Sequence, residues 1–165
     1  MTAYCQYNFE VFLTMPTYNH TEEGQIFTDL VIEIFRINGR LVAYGDDLTA
    51  PSGLTSARWQ VLGALAEGPA PAAHIARKMG LARQSVQRLA DILIKDGFVL
   101  SGENPHHRKA HLLRLSPHGA ERSENLKLAW SEIANEIAQG FSAKQLNQTL
   151  SIIRKLSERI PTMNR

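Results

Sequence analysis

Residues Ala82–Asp96, ARQSVQRLADILIKD, decide how the rest of the chain is read. Val86, Leu89, Ala90 and Leu93 recur at spacings of three and four, the interval that returns side chains to one face of an α-helix. Arg83, Gln84, Ser85, Gln87 and Arg88 crowd the opposite side of the first two turns. Arginine and glutamine carry forked polar groups that match the edges of guanine and adenine, and a helix entering a major groove offers its N-terminal side chains to the bases. Taken alone, such a face favours a plain solvated helix surface. The segments on either side reverse that weighting.

Immediately before it, PAAHIARKM (residues 71–79) reads as a short helix, opened by Pro71 in its first turn and closed by Gly80. Before that, Thr55 caps SARWQVLGALAEG (residues 56–68), which points Trp59, Leu62 and Leu65 inward and ends at Gly68. Two short helices joined through a glycine turn, the second bearing Arg and Gln outward, make a helix-turn-helix. After Gly97 the period changes. Phe98, Val99 and Leu100 read as a strand, SGENPHHRKA (residues 101–110) as a polar loop turning at Gly102 and Asn104-Pro105, and His111–Leu115 as a second strand. A β-hairpin in this place is a wing, and its tip carries His106, His107, Arg108 and Lys109 toward a neighbouring groove or phosphate run.

The flanks are helical. Asn19 with Glu22, or Thr21, can cap a long helix running to about Tyr44, with Gly45 as its stop. Within it Phe27, Leu30, Ile34, Ile37, Leu41 and Tyr44 step by three and four, and Ile26, Val31, Phe35 and Val42 widen the apolar arc. Two apolar faces on one helix need two partners, which reads as dimerisation; a central core helix of a monomer is the alternative. From Ser116-Pro117 a further helix places Leu126, Trp130, Ile133 and Ile137 on one face up to Gly140. Ser142 and Gln145 form a capping box for the last helix, whose inner stripe is Leu146, Leu150, Ile153 and Ile160. The expected fold is mainly α with a small β-hairpin wing. Its parts are an N-terminal arm (1–18), a dimerisation helix and linker (19–53), a winged helix-turn-helix (54–118) and C-terminal dimerisation helices (119–165). The apolar arm, with Tyr4, Tyr7, Phe9 and Phe12, is expected to pack on its own body or on a partner.

Charge follows the same division. Residues 1–70 hold three Lys/Arg against eight Asp/Glu, residues 71–119 eight against three, and residues 120–165 seven against five, so the overall +2 is concentrated around the second short helix and the wing. Five of the six histidines (His74, His106, His107, His111 and His118) lie in that basic middle. One surface faces an anion and the rest is kept off it. No apolar run approaches the roughly 18 residues of a membrane span, and no basic-then-apolar leader opens the chain, so a cytoplasmic protein is expected. Cys5 is the lone cysteine and builds neither an internal disulfide nor a thiolate metal site. Neither a phosphate-cradling glycine loop, a His-Glu-x-x-His pair nor a nucleophile elbow is present, which argues against an enzyme, and His106-His107 has no Cys or carboxylate cluster to complete a metal site. No cofactor is expected.

The order of parts resembles the MarR family of bacterial transcriptional regulators, which are winged helix-turn-helix dimers. The resemblance is carried by LTSARWQVLGAL, HIARKMGLARQSVQRLADILIKDGFV, the NPHHRK loop and LLRLSPHG, between Leu54 and Gly119. It implies a homodimer whose Arg83, Gln84, Ser85, Gln87 and Arg88 contact a pseudo-palindromic operator in double-stranded DNA, with Arg108 and Lys109 on the adjacent minor groove or backbone. It also implies a repressor whose affinity a small aromatic or phenolic anion modulates, held near Arg36, Arg58 and Trp59; for Arg58 a salt bridge between helices or subunits is the competing role. Some relatives sense oxidants through an N-terminal thiol near tyrosines, whereas Cys5 has no basic neighbour in sequence to activate it and reads in the first place as passive. This chain departs from the family pattern at four places: His107 stands for the second wing aspartate, Lys109 for an arginine, Ser101 for an arginine after the first wing strand, and Ala82 for a capping Ser or Thr. Those departures keep a second reading open, a dimeric small-molecule-binding or interaction protein that retains the winged fold without specific DNA binding.

Overall fold

The computed structural model describes residues 19–104 and 110–161. Among these residues the elements run α1 (Glu22–Thr49), α2 (Ser56–Ala66), α3 (Ala72–Met79), α4 (Arg83–Lys95), β1 (Val99–Gly102), β2 (Leu112–Leu115), α5 (Pro117–Ile137) and α6 (Ala143–Arg159). The chain divides into two compact units, residues 1–45 and 46–165, with the boundary inside α1.

Of the two candidate caps for α1, Thr21 is the one used: its hydroxyl accepts the Gly24 N–H at 3.1 Å. Beside it the Glu23 carboxyl is held below its ordinary value of 4.5, by a backbone hydrogen bond at the helix start and then by the Thr21 hydroxyl. The expected stop at Gly45 does not occur, and the helix continues to Thr49. A glycine ends a helix by turning left-handed, and the first to do so here is Gly53, with φ 66°. It follows a single tight turn, Ala50–Ser52. Thr49 is buried there and donates to the Leu54 carbonyl at 3.1 Å, while Asp46 accepts the Ser56 N–H at 2.7 Å, so polar contacts carry the chain into α2. In the first unit Ile26, Phe27, Ile34, Phe35, Ile37, Leu41, Val42 and Tyr44 are all exposed on the single chain.

The second unit has its own core. Val61, Leu62 and Leu65 of α2, Ile75 of α3, Val86, Ala90 and Leu93 of α4, Phe98, Val99 and Leu113 around the hairpin, and Leu126 of α5 are buried together. Each fully buried aliphatic side chain contributes about 1.5–3 kcal/mol. The caps are local. Thr55 accepts the Arg58 N–H at 3.3 Å to open α2. Pro71 is the cap of α3 rather than part of its first turn, so the helix begins at Ala72, one residue later than expected. Gly80, with φ 66°, closes α3 by donating to the Ala76 and Arg77 carbonyls, and the Leu81 N–H returns to Ala76 at 2.9 Å. This double closure turns the chain into α4 within three residues.

The hairpin is antiparallel, with Val99 opposite Leu115 and Gly102 opposite Leu112. β1 begins one residue later than the sequence pattern suggested, because the Phe98 N–H is taken by the Leu93 carbonyl at the end of α4, and it runs on through Ser101 and Gly102, expected in the loop, which pair with Leu113 and Leu112; β2 begins at Leu112 rather than His111. Ala70 adds a third, one-residue strand by exchanging both backbone hydrogen bonds with Leu113, at 3.0 and 3.1 Å. After β2, Ser116 caps α5 by accepting the Gly119 N–H at 2.9 Å and donates to the Gly97 carbonyl at 2.7 Å. A Cβ at Gly119 would lie 1.9 Å from the Phe98 carbonyl oxygen, so only glycine lets α5 approach the hairpin this closely. Phe98 in turn stacks on His118, ring centres 4.8 Å apart.

Ser142 and Gln145 form the expected capping box on α6. The expected inner stripe of that helix is open to solvent on the single chain, at Leu146, Leu150, Ile153 and, just past the last turn, Ile160.

Candidate nucleic-acid interface

α4 buries one face completely and leaves the other bare. Val86, Ala90 and Leu93 are fully buried, whereas Arg83, Gln84, Ser85, Gln87 and Arg88 are all exposed, so the five residues singled out by sequence share one free helix surface. Its N-terminus has no side-chain cap: Ala82 supplies only its carbonyl, to Ser85 and Val86. The first N–H groups of a helix carry partial positive charge, and with Arg83 beside them this end favours an anion.

Among the described residues Gln87 is the one of the five whose side chain has a hydrogen-bond partner. Its Nε2 donates to Asp91 Oδ1 at 2.9 Å, one turn further along. Sequence reasoning passed over Asp91 as a functional partner, although a Gln followed by Asp at i+4 is a known stabilising pair on a helix. Arg83, Gln87, Asp91 and Ile94 form the α4 wall of a cleft of about 180 Å³, closed by Pro71 and Ala72 of the helix-turn-helix and by Ser101, His111 and Leu113 of the hairpin. Ser101 and Asp91 therefore line the same space. Exposed Arg114 lies on β2 opposite Leu100. The wing-tip candidates Arg108 and Lys109, with His106 and His107, fall outside the described residues, as do Cys5 and the 1–18 arm.

The candidate ligand residues have other partners. Arg58, in the first turn of α2, pairs with Asp96 at the end of α4 at 3.3 Å and reaches Thr55 Oγ1 at 3.4 Å. A cation at a helix N-terminus and a carboxylate at a helix C-terminus are each unfavourable, and this pair offsets both. Trp59 meets Trp130 of α5 edge to face, ring centres 5.9 Å apart. Arg36, in the first unit, is exposed and paired with Glu33. Among the described residues no cluster of three or more His, Cys, Asp or Glu is placed to hold a metal ion, and no helix is long and apolar enough to cross a membrane.

Three helices, a two-stranded wing and an exposed Arg/Gln face on the third helix define a winged helix-turn-helix. The sequence pattern of the MarR family matches residues 52–110. An uncharacterized protein of Mycobacterium tuberculosis is 30% identical over 127 residues, which are 77% of this chain and 89% of the relative. The fold is similar to that of CouR from Rhodococcus jostii RHA1, solved with p-coumaroyl-CoA, with a TM-score of 0.72 and 20% identity over 83% of this chain and 96% of that one. It is also similar to a mutant MarR from E. coli solved with operator DNA, with a TM-score of 0.70 and 18% identity over 86% of this chain and 100% of the other. The chain belongs to the MarR family. It is therefore a regulator of transcription by class and not an enzyme.

Proposed function

We propose that the protein is a cytoplasmic homodimer that binds a pseudo-palindromic operator in double-stranded DNA and represses transcription from it. The observation that carries this reading is the exposed row Arg83, Gln84, Ser85, Gln87 and Arg88 on a helix whose opposite face is fully buried. Those residues contact bases or phosphates in successive major grooves, and the basic wing residues Arg108 and Lys109 reach the adjacent minor groove or backbone. The open apolar faces of α1 and α6 support dimerisation, because several large aliphatic side chains on one helix are rarely left in water. In a two-fold dimer the two α4 helices stand roughly 34–36 Å apart, one DNA turn. The domain limits 1–18, 19–53, 54–118 and 119–165 belong to the same reading.

A small aromatic or phenolic anion would modulate this affinity, with Arg58 and Trp59 as its candidate contacts in the second unit and Arg36 as a separate candidate in the first; the similar CouR structure holds p-coumaroyl-CoA. An anion that took the Arg58 guanidinium would compete with Asp96 and loosen α4 at its C-terminal end. Binding that favours the loosened state shifts the population away from the DNA-competent dimer. Retrieval of sheared genomic DNA by the purified protein, followed by sequencing, tests the proposal. A pseudo-palindromic consensus is expected, with affinity falling roughly a thousandfold between about 50 and 200 mM salt if six or more phosphates are neutralised. Retrieval of random fragments, or none, would instead support a small-molecule-binding or interaction protein on the same fold.

A further inference from the structure

We propose that Gln87 is a locked adenine reader, set in register by Asp91. This rests on the DNA-binding reading above and specifies one of its contacts. Gln87 and Asp91 lie one helical turn apart on exposed α4, and the amide nitrogen of Gln87 is 2.9 Å from Asp91 Oδ1. An ionised carboxylate only accepts hydrogen bonds, so the atom facing it is the amide nitrogen, and the orientation of the amide is fixed. One N–H is consumed by Asp91. Among the described residues the other N–H and the carbonyl oxygen have no partner.

One donor beside one acceptor is the pattern that pairs with adenine, whose major-groove edge offers the N7 acceptor and the N6 amino donor. Guanine shows two acceptors, N7 and O6. A free glutamine meets guanine by turning both N–H groups toward it. Gln87 does so only by giving up Asp91, and leaves a carboxylate without its partner beside DNA phosphate. The bond thus favours adenine and raises the cost of guanine in one step, which is how specificity rather than affinity is built. Gln84, exposed one turn closer to the N-terminus, has no side-chain hydrogen bond among the described residues and keeps both orientations. Ser101, which lines the same cleft as Asp91, is short and uncharged and offers the carboxylate no competing cation.

The experiment is selection from a pool of random DNA duplexes by the full chain, with sequencing of the bound fraction, for wild type, Gln87→Ala, Asp91→Ala and Asp91→Asn. Wild type is expected to prefer adenine over guanine about tenfold at one position per half-site, the scale of a good bidentate pair. Gln87→Ala removes the preference at that position alone. Asp91→Ala lets guanine in, reducing the ratio to about twofold or less while affinity for mixed-sequence DNA is retained or rises with the loss of a negative charge. Asp91→Asn, whose amide oxygen still accepts the Gln87 N–H, stays between the two. Both altered side chains are exposed, so folding is not at stake. A wild-type base profile in Gln87→Ala and Asp91→Ala would overturn the adenine assignment with DNA binding intact. A flat profile for wild type overturns the DNA reading and this assignment with it.

Discussion

Helices α4 and α6 carry the same apolar period and meet opposite fates. Val86, Ala90 and Leu93 of α4 are sealed inside the second unit, whereas Leu146, Leu150 and Ile153 of α6 are each two-fifths or more exposed on the single chain. Periodicity alone says that a face is apolar, and not what covers it. For α4 the cover is supplied within some forty residues, by α2, α3 and the hairpin. For α6 nothing among the described residues of the second unit closes fully over the stripe, which is what a helix reserved for a partner subunit looks like in isolation.

Substitutions sharpen this contrast. The largest effects belong to the closed side. Leu93→Ala should cost about 2–5 kcal/mol through the cavity it leaves. Gly119→Ala should cost about 3 kcal/mol or more, since a Cβ 1.9 Å from the Phe98 carbonyl forces α5 off the hairpin. Chemical denaturation followed by circular dichroism checks both, and native stability in either variant would contradict the packing described. The middle effect belongs to the open side. Leu150→Asp with Ile153→Asp should leave the helical signal of the winged unit intact while moving the sedimentation coefficient from dimer to monomer. Unchanged sedimentation would show that α6 is covered in some other way. The smallest effect sits between the helices that support the reading face: Arg58→Ala should destabilise by about 1 kcal/mol, the scale of a partly exposed ion pair. A shift well above that would assign Arg58 a larger part in holding α4.

Much of this was legible in the sequence because the signals are local. The α4 stripe, the glycine at position 80 and the capping box at Ser142 and Gln145 each lie within a few residues of the structure they specify, whereas Gly102, expected in a turn, is drawn into β1 by its pairing with Leu112. Gly45 was misleading because glycine ends a helix only when its backbone turns left-handed, and here it is Gly53 that does so. Ala70 was invisible: a one-residue strand has no period, and its pairing with Leu113 is fixed by tertiary approach. Of the interface, the exposed Arg/Gln row could be read directly from spacing. The Asp91–Gln87 hydrogen bond was not legible as part of this face, because a carboxylate does not by itself suit a surface that meets an anion. The Arg58–Asp96 pair, 38 residues apart, comes from helix packing and lies beyond any sequence window.

The most direct measurement is the affinity of Arg83→Ala and Arg88→Ala for the retrieved operator, with the oligomeric state followed in the same samples. Both variants should stay dimeric and folded, since both side chains are exposed. Each should lose about tenfold or more in operator affinity, the scale of one good contact to a base. If both bound the operator as tightly as wild type, the exposed face of α4 would not be the surface that reads DNA.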